Sequence, residues 1–328
     1  MRIYLALSVL LLSASSAIAV SFDWAVIGNL GNQKDTHGAG YGSVGYEYSI
    51  SKTEVTTAQY VEFLNAVAAT DTKGLYNTNM ADSTFYKGIS RTGSPGSYVY
   101  SANAGWENRP VVYVSWYDTL RFANWLHNGQ ITGEQDNTTT EYGAYDMSQG
   151  ALVVRLTGAD YWLPSEDEWY KAAYYDPVEE VYYDYAAGSN TPPNNNEPDN
   201  DTGNSANYNN NGYTLGSPYY TTEVGAYDKS QSPYGTYDQS GNVWEWTEAF
   251  ITGGYRGLRG GSWSHYASHM SASNRSYYDL PTYEYDRIGF RIASSFTGEE
   301  QDVIPEPASI GLVLLSATGL VLRRARKS

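Results

Sequence analysis

The sequence predicts an α+β fold, irregular and loop-rich. Three observations carry this. Helices are announced by Ser/Thr caps, strands are short alternating runs, and long polar intervals rich in Gly (32) and Tyr (33) separate them. A chain of 328 residues makes one large domain or two small ones, with ample material for a core.

Phe22, Trp24 and Val26 alternate with small or polar residues until Gly28-Asn29, which reads as a first strand. A glycine-rich loop (38–45) follows, then Val44, Tyr46, Tyr48 and Ile50 alternate as a second strand. Thr56 and Gln59 form a capping box that opens a helix with Tyr60, Phe63, Leu64 and Val67 on its apolar face. The polar interval 73–107 reads as loops and short strands, and Val111–Val114 as a buried strand end. Ser115, with Asp118 three residues on, caps a second helix that ends at His127. Residues 131–149 read as a loop and Leu152–Leu156 as β-like. Ser165-Glu166-Asp167-Glu168 is a third capping box. Its three acids sit where the helix dipole favours negative charge, so helix capping accounts for them without catalysis. Residues 182–212, rich in Asn, Pro and Asp, carry too little apolar surface to fold alone.

The termini read as addresses. Arg2, the apolar run from Ile3 and Ala17-Ile18-Ala19 form a signal peptide, residues 1–19. A domain over 20–297 and a linker over 298–304 follow. Pro305-Glu306-Pro307, an apolar run to Leu322 and a basic cluster ending at Lys327 then form the tail, 305–328. That tripartite tail resembles the PEP-CTERM sorting signal. The resemblance implies export across the inner membrane of a Gram-negative bacterium, a transient membrane anchor, exosortase as processing partner and an exopolysaccharide-rich, biofilm setting. Net charge is −16, which argues against nucleic acid and anionic lipid as partners. There is no cysteine, hence no disulfide framework, thiolate metal site or cysteine nucleophile.

The chemically richest stretch is Tyr237–Thr247. Asp238 and Glu245 are hard oxygen donors, and Gly241 between them lets the backbone turn and aim carbonyls at a shared point, which suits calcium. The alternative reading is an aspartate turn feeding an aromatic strand through Trp244 and Trp246, with Glu245 solvated.

Gly241-Asn242-Val243-Trp244-Glu245-Trp246, Arg259-Gly260-Gly261-Ser262-Trp263, Arg275 and Gly289-Phe290-Arg291 occur in that order. Thr53-Glu54-Val55-Thr56, Pro110–Trp116 and Trp162–Trp169 precede them. Together they resemble the sulfatase-modifying-factor family, the fold of the formylglycine-generating enzyme, from about Phe22 to Ala293. The resemblance implies a large, irregular variant of the C-type lectin fold. It implies one calcium site from the side chains of Asp238 and Glu245 with the carbonyls of Gly241 and Val243. A second would use Asn207, Tyr208, Asn211 and Tyr213, with Asn211 standing where the family has Asp.

The family's catalytic cysteines, which hold copper(I), fall three and eight residues after the serine of Gly-Gly-Ser. Here those positions are His265 and Met270, and Arg287 stands where the catalytic branch carries Asn. Formylglycine generation by that route is therefore not expected. An oxidoreductase with a copper site rebuilt from His265, His269 and Met270 is one alternative, set against a plain polar surface loop. The favoured expectation is a calcium-stabilised binding module whose surface uses Trp244, Ser262, Trp263, His265, His269, Arg275 and Arg287. Residues 264–286 are dense in Tyr, Ser, Asn, His and Asp, a composition suited to recognition. The ligand is an exopolysaccharide or a cell-surface protein; a purely structural matrix protein is the remaining alternative.

Overall fold

The computed structural model describes residues 19–36 and 40–295. The expected leader, apart from Ala19, and the whole sorting tail lie outside the described residues. In chain order the elements are β1 (Trp24–Ile27), β2 (Tyr48–Ser51), α1 (Thr57–Val67), β3 (Ile89–Thr92), β4 (Val99–Ala102), α2 (Trp116–His127), β5 (Tyr161–Trp162), α3 (Glu166–Tyr174), β6 (Tyr175–Asp176), β7 (Val181–Tyr182), β8 (Trp244–Ile251), β9 (Tyr255–Arg259), β10 (Ser276–Asp279), β11 (Ile288–Gly289) and β12 (Ala293–Ser294). No helix among the described residues is long and apolar enough to cross a membrane.

Among the described residues, all three α-helices carry the reciprocal cap their sequences announce: Thr56 with Gln59, Ser115 with Asp118, and Ser165 with Glu168. Two four-stranded sheets form. One runs β1-β2-β12-β5 with every pair antiparallel, so the last strand of the domain inserts beside β2 near its start. The other runs β10-β9-β8-β11, in which β11 pairs parallel with β8.

Several expectations need correction. In β1 the buried side chains are Ala25 and Ile27, while Val26 is 42% exposed and Trp24 packs half-buried against the core. Val111–Val114 is buried but is not a strand. Its backbone is held by scattered bonds, such as Val111 N to Val55 O and Tyr113 N to Tyr285 O. Leu152–Leu156 is not a strand either: it leaves a 3₁₀ turn (Met147–Leu152), with Leu152 and Val154 exposed. Residues 182–212 are fastened to the body by polar contacts. Asp201 accepts from Lys229 N and Ser230 Oγ, Ser205 N donates to Ser230 Oγ, and Tyr227 Oη donates to Asn196 O.

Between the helices and the first sheet the core is aromatic. Phe122 of α2 lies 5.2 Å from Phe63, 6.1 Å from Tyr60, 5.8 Å from Trp125 and 5.3 Å from Phe290. Replacing a fully buried ring at such a junction leaves a cavity, so Phe122→Ala should cost about 3–5 kcal/mol of unfolding free energy in denaturant titrations. A loss below about 1 kcal/mol would mean the ring is not the contact that joins α1, α2 and Phe290.

A buried ion-pair hub beside an aromatic cleft

Strand β8 divides its side chains between two places. Trp244 lies over a cleft at the edge of the second sheet, whereas Glu245 turns into the interior. Glu245 Oε2 accepts from Arg291 Nε at 2.6 Å and from Trp169 Nε1 at 2.7 Å, and Oε1 accepts from Arg291 Nη2 at 2.8 Å. Arg291 also donates to the carbonyls of Ser51, Lys52 and Tyr237, so the guanidinium ties β2 to the turn before β8. Burial alone would lower the arginine pKa, but the facing Glu245, Glu54 and Asp238 raise it.

The turn itself has the shape its glycine announces. Gly241 has φ 90, and a Cβ there would strike the Asn207 carbonyl. Asn242 N donates to that same carbonyl at 2.9 Å, and Gly241 N donates to Gly260 O at 2.8 Å. Asp238, at φ 62, accepts from Gly225 N at 2.6 Å.

Glu54, not singled out as a site residue, completes the hub. It is fully buried and accepts from Asn242 Nδ2 at 3.0 Å, its other oxygen has no hydrogen-bond partner among the described residues, and the charge of Asp238 acts on it. Among the described residues Glu245 alone pairs with the guanidinium, and the charges of Glu54 and Asp238 act on it from beyond contact. Desolvation, then the charges of Asp238 and Glu245, hold the Glu54 carboxyl far above its usual range. Desolvation raises Asp238 to about 6. Burial of Glu54 Oε2 without a hydrogen-bond partner favours the neutral, protonated form of this carboxyl.

This arrangement does not fit the expected calcium donors. Glu245 is engaged by Arg291 and Trp169 rather than turned to a cation. No three His, Asp or Glu side chains among the described residues converge as a metal-binding group. The other expected set lies along one short turn whose first donor, Asn207 Oδ1, is buried without a hydrogen-bond partner among the described residues. Asn207 is buried beside Asn242, and the Tyr208 carbonyl accepts from Thr214 Oγ1. Asn211 (φ 59) is on an exposed tip, and Tyr213 packs its ring on Trp263 and Tyr220. Val243 is fully buried.

The cleft has a volume of about 450 Å³. Five expected residues line it: Trp244, His265, His269, Arg275 and Arg287. Asn274, Ser276, Asp279, Tyr283 and Tyr285, all inside the polar loop singled out by composition, complete its polar and aromatic wall. Ser262 does not face the cleft but supports it: its hydroxyl lies 2.7 Å from His265 Nδ1. Trp244 Nε1 donates to the same nitrogen at 3.2 Å, so His265 carries its proton on Nε2. Burial, then the charges of His269 and Arg287, lower His265 to about 4, leaving it neutral at physiological pH. Trp263 turns away and packs against Phe85 and Tyr220.

The His265 and His269 rings sit 4.9 Å apart in the cleft wall. Around them Tyr266, Ser268 and Ser273 are exposed, as a polar surface loop would have them. Met270 does not join the two histidines; it is fully buried in a separate cluster with Tyr185, Ala206 and Tyr208, so the His/Met copper set is not assembled. Arg275 is held by Glu166 at 2.6 Å, and Glu166 also pairs with Arg259 at 2.7 Å. The first acid of α3 therefore anchors the cleft as well as opening its helix. Tyr283 and Tyr285 stand at the mouth, 36% and 37% exposed, with Arg287 5.2 Å from the Tyr285 ring.

Residues 32–296 match the family described as the sulfatase-modifying factor enzyme 1-like domain. No curated protein matches the chain by sequence. Among solved structures it is similar to CarF, with 21% identity, a TM-score of 0.53, and coverage of 84% of this chain and 99% of that one. It is also similar to variable protein 1 of Treponema denticola, with 23% identity, a TM-score of 0.52, and coverage of 84% and 96%. At these identities the likeness speaks for the fold.

The hub has a measurable signature. Because Glu54 and Asp238 titrate higher folded than unfolded, their contribution to stability is full below the unfolded carboxylate range. It is lost as pH rises through about 6 for Asp238 and higher for Glu54. Glu54→Gln keeps the acceptor for Asn242 and removes the group that must be protonated on folding. We expect it to raise Tm by a few °C at pH 8, to change little at pH 5, and to be insensitive to calcium or chelator. A destabilised Glu54→Gln, with a wild type that chelator destabilises, would instead place a cation among these carboxyls.

Proposed function

The chain belongs to the sulfatase-modifying factor enzyme 1-like family, and from that premise we propose that it is a non-catalytic, glycan-binding member, built on a variant of the C-type lectin fold. The observation that carries the reading is the cleft: about 450 Å³, with two half-exposed tyrosine rings at its mouth beside Asn274, Asp279 and Arg287. A pyranose offers a C–H face to the electron-rich face of a ring and hydroxyls to planar amide, carboxylate and guanidinium groups; such a wall meets both needs. Lining charges nearly balance, since Arg275 and Arg287 are held by Glu166 and Asp286 and face Asp279. With −16 on the whole chain, a neutral polysaccharide is favoured over a polyanion.

Against oxidase chemistry stands the absence of any cysteine to form the thiolates that the family resemblance calls for. The leader-like and Pro-Glu-Pro sequences support an exported protein, surface-held or released into a matrix after processing by an exosortase.

The test is calorimetry of the purified domain against neutral hexose oligomers and whole neutral exopolysaccharide, with alginate as the charged control. Tyr285→Ala should weaken binding at least about tenfold while leaving Tm nearly unchanged, since the ring is at the rim. Unaltered affinity in Tyr285→Ala and in Arg287→Ala would remove the cleft from the binding site. Absence of any glycan binding would refute the reading.

A further inference from the structure

A second cleft, of about 570 Å³, lies between the loop 29–36 and the β6–β7 hairpin and shares no lining residue with the first. Its wall is tightly built. Asn32 is buried and donates to Gly42 O at 2.7 Å and to Tyr182 Oη at 2.6 Å, while its Oδ1 accepts from Val44 N. Gly42 has φ 95, and the Tyr182 ring occupies the space a Cβ would take, so the loop closes on the ring only because residue 42 is glycine. Tyr175 packs on Tyr182 with centroids 4.9 Å apart and accepts from Asn29 Nδ2. On this rigid base the exposed side chains of Asn29, Gln33, Lys34 and Glu180 surround the opening, and Leu30 and Val181 add apolar edge. Amide, carboxylate and ammonium groups surround this opening as amide, carboxylate and guanidinium groups surround the first, with Tyr175 and Tyr182 packed into its wall.

Tyr41 and its neighbour Gly42 touch the walls of both clefts. Arg275, in the wall of the first, lies 5.4 Å from the half-buried ring of Tyr41. Tyr41 lies 6.0 Å from Tyr170. Gly42, next in the chain, accepts from Tyr182 Oη at 2.8 Å in the second cleft, and beneath them the buried Tyr170 Oη donates to the buried Asp35. Helix α3 carries the supports of both sides: Glu166 holds Arg275, and Asp167 accepts from Gly42 N at 2.8 Å.

We propose that the second cleft is a further subsite for the same neutral glycan chain, which crosses Tyr41 to occupy both clefts. The domain would then recognise an internal stretch of polymer rather than a chain end. This rests on the glycan-binding reading of the first cleft. Occupying two subsites with one chain makes the second contact intramolecular, so affinity rises with chain length without any change at the first cleft.

The experiment is a length series of cello- and isomalto-oligosaccharides, from disaccharide to octasaccharide, titrated into wild type and into the triple variant Gln33→Ala/Lys34→Ala/Glu180→Ala. These side chains are exposed, and melting curves would check that the variant is folded. We expect wild-type affinity to climb at least about tenfold across the series at one oligosaccharide per protein. In the triple variant the climb should disappear while short oligomers bind as in wild type. Three results overturn the proposal and leave the first cleft standing: affinity independent of length, a climb that survives in the triple variant, or two long oligomers per protein. No binding by any oligomer overturns both readings, and Tyr285→Ala as control tells the two failures apart.

Discussion

The Glu245–Arg291 pair is the constraint on which the rest depends. It is wholly buried, doubly hydrogen-bonded and closed on its remaining side by Trp169. A guanidinium in that position reaches Ser51 and Lys52 at the end of β2 and Tyr237 before the turn, so one side chain sets the distance between the two sheets. Buried pairs of this kind add little net stability over an apolar substitute, but losing one partner strands a charge. Their value here is positional. With Glu245 fixed inward, alternation along β8 carries Trp244 to the cleft, where its indole sets the tautomer of His265.

The tyrosine content has a related explanation. Much of it does not face solvent. Tyr48, Tyr60, Tyr145 and Tyr174 are buried and direct their hydroxyls to Glu168 O, Leu75 O, Glu248 and Met270 O, respectively. In a chain without cysteine, each such residue fills volume and satisfies a distant polar group, fastening irregular backbone that has no sheet ladder of its own. The exposed tyrosines at the cleft mouth are thus a minority with a different task, which composition alone does not separate.

The sequence made the helices legible because a capping box is a local signal: Ser/Thr and its partner three residues on decide the start whatever surrounds them. The turn at Gly241 was legible for the same reason. Less legible was anything decided by distant partners. Glu245 reads as a free carboxylate until Arg291 and Trp169, far along the chain, are brought to it. Glu54 belongs to a motif, yet nothing local says it will be buried within reach of the charge of Asp238. In β1 the bulkier face would be expected inside, but pairing with β2 places Ala25 opposite Ile50 and turns Val26 outward. The cleft was half visible: residues 264–286 announced recognition by composition, while the inward turn of Met270 and Trp263 followed from packing around Gly241, Gly261 and Phe85.

The claim that one buried pair fastens the two sheets is tested most directly by a double-mutant cycle in unfolding free energy with Glu245→Gln and Arg291→Lys. Both substitutions preserve size and some hydrogen bonding. The account predicts a coupling of about 2 kcal/mol or more, with the double variant less unstable than the sum of the single ones. A coupling below about 0.5 kcal/mol would show that the two residues act independently and that the sheets are held together by other contacts.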